Sequence, residues 1–71
     1  MNKYYYYGFT TINGKNIELT GTNNSGIVNL KTLKGVENRI KQYKANNCFD
    51  SYIEGVKIYD YDNNLLSIVL F

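Results

Sequence analysis

Histidine is absent from this chain, and cysteine occurs once, as Cys48. The first absence removes the usual general base and the commonest metal ligand together. The second excludes an intramolecular disulfide, and one thiol among scattered carboxylates makes no zinc site. Long apolar runs are missing as well. The longest, Leu65 to Phe71, is interrupted by Ser67 and falls far short of the roughly 20 residues a bilayer demands. The N-terminal MNKYYYYGF has no apolar stretch followed by a small-residue cleavage site, so it does not read as a signal peptide. A soluble, cytoplasmic protein with no membrane partner is expected, in keeping with the unpaired thiol.

The 71 residues make one domain, 1–71, near the lower size at which a single core suffices. With disulfides and metals set aside, association is the remaining reinforcement, and a homo-oligomer, dimer or higher, is expected. Without imidazole, catalysis would fall to paired carboxylates, a tyrosine or Cys48. Glu54 and Asp60 share a strand face but stand roughly 20 Å apart along an extended chain, too far for a carboxylate pair. No enzyme activity and no cofactor are expected.

Net charge is only +2, but it is unevenly placed. Between residues 31 and 44, Lys31, Lys34, Arg39, Lys41 and Lys44 face a single acid, Glu37. The remainder reads neutral to slightly acidic, so the pattern is one basic element on a neutral body.

Four consecutive tyrosines open a run, KYYYYGFTTI over 3–12, that reads as a strand. Asn13-Gly14 follows, the two-residue signal of a type I′ hairpin. That turn sets Ile12 opposite Lys15, Thr10 opposite Ile17 and Gly8 opposite Leu19. Tyr4, Tyr6, Thr10, Ile12, Ile17 and Leu19 then share the face expected to line the core, and Tyr5, Tyr7, Phe9, Asn16, Glu18 and Thr20 share the other. GTNNSG over 21–26 reads as a polar connection, and it lacks the lysine of a phosphate-binding loop.

From about Asn29 to Asn46 the periodicity turns helical. Leu33, Val36, Ile40 and Tyr43 occupy a stripe roughly 80° wide, with Asn29 or Thr32 as candidate N-caps. Gly35 lies off the stripe, so either the helix starts near it or something approaches the backbone there. Residues 51–61 and 65–71 then read as a second hairpin around Asn63-Asn64, with Tyr59 opposite Ile68 and Lys57 opposite Leu70. One face carries Val56, Ile58, Leu65, Val69 and Phe71, and the other Ile53, Tyr59, Tyr61, Leu66, Ile68 and Leu70 with Lys57. DYDNN over 60–64 opens like a calcium loop but lacks the later glycine and glutamate, and reads as a turn.

The expected fold is therefore α+β, a four-stranded antiparallel sheet with one helix in the order ββαββ. One helix covers only one face of such a sheet, so the second aromatic face must meet a partner. The leading expectation is a non-enzymatic protein that sequesters an anionic, nucleotide-like ligand as a homo-oligomer built through the apolar sheet face. Tyr5, Tyr7, Tyr59 and Tyr61 would stack on bases, and Lys34, Arg39, Lys41 and Lys57 would neutralise phosphate. Because rings and helix cations fall on opposite sides of the sheet, such a site would form only across an oligomer interface. The alternative is a protein-binding inhibitor that uses the same aromatic face or a strand edge.

In length, in richness in asparagine, lysine and tyrosine, and in the absence of catalytic motifs, the chain resembles the very small accessory proteins of phages and mobile elements. Many of those antagonise host defence by blocking an effector or by sequestering a nucleotide messenger. The resemblance is carried by length and composition, and it implies a biological setting and no site residues.

Overall fold

The computed structural model describes residues 3–20 and 23–71. The aromatic run forms β1 (Lys3–Ile12), and the Asn13-Gly14 turn leads into β2 (Lys15–Glu18). Asn13 has φ 53° and Gly14 φ 78°, the left-handed backbone that a type I′ turn requires. The pairing is the one that turn dictates: Ile12 faces Lys15, Thr10 faces Ile17, and Leu19 N–H reaches Gly8 C=O at 2.9 Å.

The strand count corrects the expected ββαββ. Ser25–Asn29 forms an additional strand, β3, before the helix α1 (Leu33–Ala45), and β4 (Gly55–Tyr59) and β5 (Leu65–Leu70) follow. The order is βββαββ, in one antiparallel five-stranded sheet. β1 is long enough to serve two partners along one edge. Its first half pairs with β3, Tyr5 opposite Ile27, and its second half pairs with β2. Gly8 is the point of exchange, since its N–H bonds Asn24 C=O at 2.7 Å while its own carbonyl accepts from Leu19. The second half of GTNNSG thus runs into a strand, and Gly21 and Thr22 lie outside the described residues.

The helix starts later than Asn29. Thr32 is its N-cap, accepting a hydrogen bond from Gly35 N–H at 3.1 Å, so Gly35 lies in the first turn, where its cost is small. At the other end Cys48 N–H bonds Tyr43 C=O at 2.9 Å and Asn47 N–H bonds Lys44 C=O at 3.1 Å. With Asn47 at φ 59°, this is a Schellman cap with asparagine in place of glycine.

Val36 and Ile40 are fully buried against Val56 and Ile58, with Tyr4, Val28, Phe49, Ile53 and Val69 completing the core. Leu33 and Tyr43 pack at its margin. Ile53, expected on the opposite face, belongs to this core because it precedes β4 and escapes its alternation. Ile12 and Ile17 also depart from expectation. They share the helix side, but Ile12 is 53% exposed and Ile17 38% exposed.

From Gly55 to Ile58 the second hairpin keeps its expected faces and shifts its register, while Leu65, expected beside Val56 and Ile58, crosses to the face of Tyr59 at the irregularity. Lys57 faces Ile68 and Val56 faces Val69, and an irregularity between Ile58 and Tyr59 sets Tyr59 opposite Leu65. Asp60 causes the shift. Its carboxylate accepts from Asp62 N–H and Asn64 N–H, both at 2.9 Å, and from Asn64 Nδ2 at 3.1 Å, which makes the loop longer than two residues. Those bonds, led by the Asn64 N–H, hold the Asp60 carboxyl below the ordinary aspartate range.

Candidate functional site

Among the described residues, no element covers one face of the sheet. Lys3, Tyr5, Tyr7, Phe9 and Thr11 project there from β1, Lys57 and Tyr59 from β4, and Ile68 and Leu70 from β5. Ile27 joins them from β3, and Asn16 and Glu18 join from β2. The face divides into two halves of different character.

The half nearer β2 is roofed by its own side chains. Lys57 crosses β1 and donates from Nζ to Asn16 Oδ1 at 2.6 Å, passing 5.5 Å from the centre of the Phe9 ring. Tyr59 crosses in parallel, its hydroxyl donating to the Glu18 carboxylate. On the way its ring meets Tyr7 edge-on at 5.6 Å. Desolvation, with the Glu18 bond second, pushes the Tyr59 hydroxyl up to about 12. Phe9 lies beneath this roof, 6% exposed, over the space that Gly55 leaves open. A Cβ on Gly55 would stand 2.9 Å from the Phe9 ring and 2.5 Å from the Val69 carbonyl oxygen. The pair is a cross-strand aromatic–glycine fit, the ring shielding backbone that the glycine leaves bare.

The half nearer β5 is bare. Leu70 is 75% exposed, and Ile68 and Leu65 are about half exposed. Tyr61, 68% exposed, stands 6.4 Å from Tyr5, and Ile27 extends the patch beyond β1. Together these residues form an apolar and aromatic surface of the kind monomeric proteins seldom leave open.

The candidate site residues are thus split between two sides of the molecule. Tyr5, Tyr7, Lys57, Tyr59 and Tyr61 share the open face. Lys34, Arg39 and Lys41 are exposed on α1, which packs on the opposite face. Within one protomer no helix cation reaches the rings, and the cation at the centre of the face is already held by Asn16. Sequence reasoning passed over Asn16 and Glu18 as binding partners, because their bonds join β2 to β4 across the intervening β1. Ile27 was missed because β3 itself was.

Elsewhere the acids serve the fold. Glu54 accepts from Thr11 N–H at 2.6 Å and from both Thr10 and Thr11 hydroxyls at 3.3 Å. Asp50 accepts from Asn24 Nδ2 at 2.8 Å. Among the described residues no three Cys, Asp or Glu side chains gather to hold a metal, and no helix is long and apolar enough to cross a membrane. The chain matches no protein-family model, no curated protein and no solved structure.

Proposed function

We propose that the chain is a non-enzymatic binding protein that occludes a protein partner with its open sheet face, as an inhibitor of a host defence or regulatory complex would. The observation that supports this reading is the bare half of the face. Tyr5, Ile27, Tyr61, Leu65, Ile68 and Leu70 present apolar and aromatic groups on one face of the sheet, while Lys57 is bonded to Asn16. Tyrosine and large aliphatic groups on a desolvatable surface are the material of protein hot spots. Of the cations expected to neutralise phosphate, Lys34, Arg39 and Lys41 lie behind the sheet, so they could join the rings only across an oligomer interface. The protein reading needs only the surface that one protomer presents, and we prefer it on that ground.

The test is a capture experiment from host extract, run at physiological and at high salt. An apolar contact holds its partner at both salts, loses it in Ile27→Asp and Tyr61→Ser, and keeps it in a Lys34→Ala/Arg39→Ala/Lys41→Ala variant. A partner shed by salt and by the helix variant, yet kept by the two face variants, would return the site to the helix cations.

A further inference from the structure

β5 is the last strand on its side of the sheet, with β4 as its one neighbour among the described residues. Phe71 N–H bonds Glu54 C=O at 3.0 Å, and alternation then directs the backbone groups of Val69 and Ser67 toward β4. The N–H and C=O groups of Ile68 and Leu70 point the other way, along a free edge. Natural sheets blunt such edges with lysine, proline or bulges. β5, LLSIVL, has neither lysine nor proline, and its irregularity is confined to its first residues, opposite Ile58 and Tyr59. Ile68 to Leu70 is left as a regular, apolar pairing template.

The charges beside this edge identify what it fits. α1 lies nearest β5 among the strands. Over the middle of β5, Glu37 accepts a hydrogen bond from the Ser67 hydroxyl. Just past its end, Lys44 Nζ sits 5.2 Å from the centre of the Phe71 ring. The regular stretch from Ser67 to Phe71 thus carries an acid at its beginning and a base at its end. A strand running antiparallel from an identical edge presents the same pair in reverse order. We infer that two copies of the chain pair antiparallel through β5 about a two-fold axis, so that Glu37 of each copy faces Lys44 of the partner subunit. Parallel pairing would turn one copy over, put the two α1 helices on opposite faces and leave Glu37 and Lys44 without partners across the seam.

The contact is isologous, so it uses the one β5 edge of each copy and closes as a dimer. It doubles the five-stranded sheet, sets the two α1 helices side by side on one face, and supplies the reinforcement a chain of this size lacks. The copies meet edge to edge, in place of the face-to-face contact expected from the sequence, and both open faces stay free. The inference therefore stands apart from the partner reading.

The test uses purified protein alone, followed by sedimentation velocity from micromolar to submillimolar concentration. Wild type is expected to dimerise. Glu37→Lys and Lys44→Glu each place two like-charge pairs across the seam and should weaken dimerisation about tenfold. Mixing the two variants restores both pairs in a heterodimer, and its affinity should return to near the wild-type value. Ile68→Pro removes one outward N–H, leaves the bonds to β4, and should give a monomer; circular dichroism checks that it is folded. If that variant unfolds, the charge mixture still decides. A wild type that stays monomeric throughout overturns the inference. So does a dimer indifferent to the single reversals, or one that the mixture fails to restore.

Discussion

The hydroxyl of Tyr59 on β4 donates to the carboxylate of Glu18 on β2, bridging two strands that have β1 between them. Lys57 and Asn16 repeat the arrangement alongside. The two bridges tie a four-residue strand, exposed along its whole length, to the centre of the sheet. They also roof Phe9, so that half of the open face is closed by the chain itself and the other half is left for contact.

Tyr59→Phe keeps the ring and removes the bridge. The bond is largely solvent-exposed, so its loss should cost about 0.5 kcal/mol, well below a buried charge-assisted bond. Its pH dependence has a definite sign. The folded state holds the Tyr59 proton up to about 12, against 10.0 for an ordinary tyrosine. The contribution is therefore complete below pH 10 and is lost as pH rises through about 12. Denaturant unfolding of wild type and Tyr59→Phe at stepped alkaline pH should show the difference between them shrinking across that window.

Asp60 has the opposite sign. Its carboxyl is held low by the Asn64 and Asp62 bonds, so the stability it confers is present above the ordinary aspartate range and is lost as pH falls through its lowered value. Asp60→Ala should be destabilised near neutrality, and the gap to wild type should close in acid. An unchanged gap on acidification would mean that another group anchors the turn.

Gly55→Ala should lower the unfolding free energy by about 1–3 kcal/mol, the usual cost of overpacking. The added methyl meets the Val69 carbonyl oxygen at 2.5 Å, and backbone cannot yield as a side chain would. Phe9→Leu in the same chain would relieve the ring contact and leave the carbonyl clash, so the double variant should recover only in part. Urea unfolding measures both.

Asn24 is 1% exposed and clasps Asp50 twice, Nδ2 to Oδ2 at 2.8 Å and Oδ1 from the Asp50 N–H at 2.9 Å. Asn24→Ala leaves that N–H without its acceptor and should cost about 1–3 kcal/mol. Asp50→Ala keeps the N–H bond and should cost less. A double-mutant cycle on unfolding free energies gives the coupling directly.

What could be read from the sequence followed how local its cause was. The β1–β2 register was legible because Asn13-Gly14 admits one tight turn and that turn fixes every pair after it. The helix stripe was legible from Leu33, Val36, Ile40 and Tyr43, three of which pack as their spacing requires around a fully buried Ile40. β3 was not legible. It is five residues long with only Ile27 and Val28 to mark it, and its strand character comes from pairing with the first half of β1. The second hairpin kept its faces over Gly55 to Ile58 because its shift was even there, and Leu65 changed face where the shift became odd. Its register was missed because Asp60 caps a loop longer than Asn63-Asn64 alone suggests. Of the candidate site, the tyrosines and Lys57 fell on one face by simple alternation. The division of that face was hidden, since it depends on side chains that meet across a strand.

The central claim is that the bare half of the open face exists to be covered by protein. Native mass spectrometry of the chain isolated gently from its host tests this most directly. The account predicts assemblies carrying a second, different polypeptide, absent when Ile27→Asp is isolated in the same way. Assemblies of this chain alone carrying a nucleotide-sized added mass, released on loss of Lys34, Arg39 and Lys41, would contradict it.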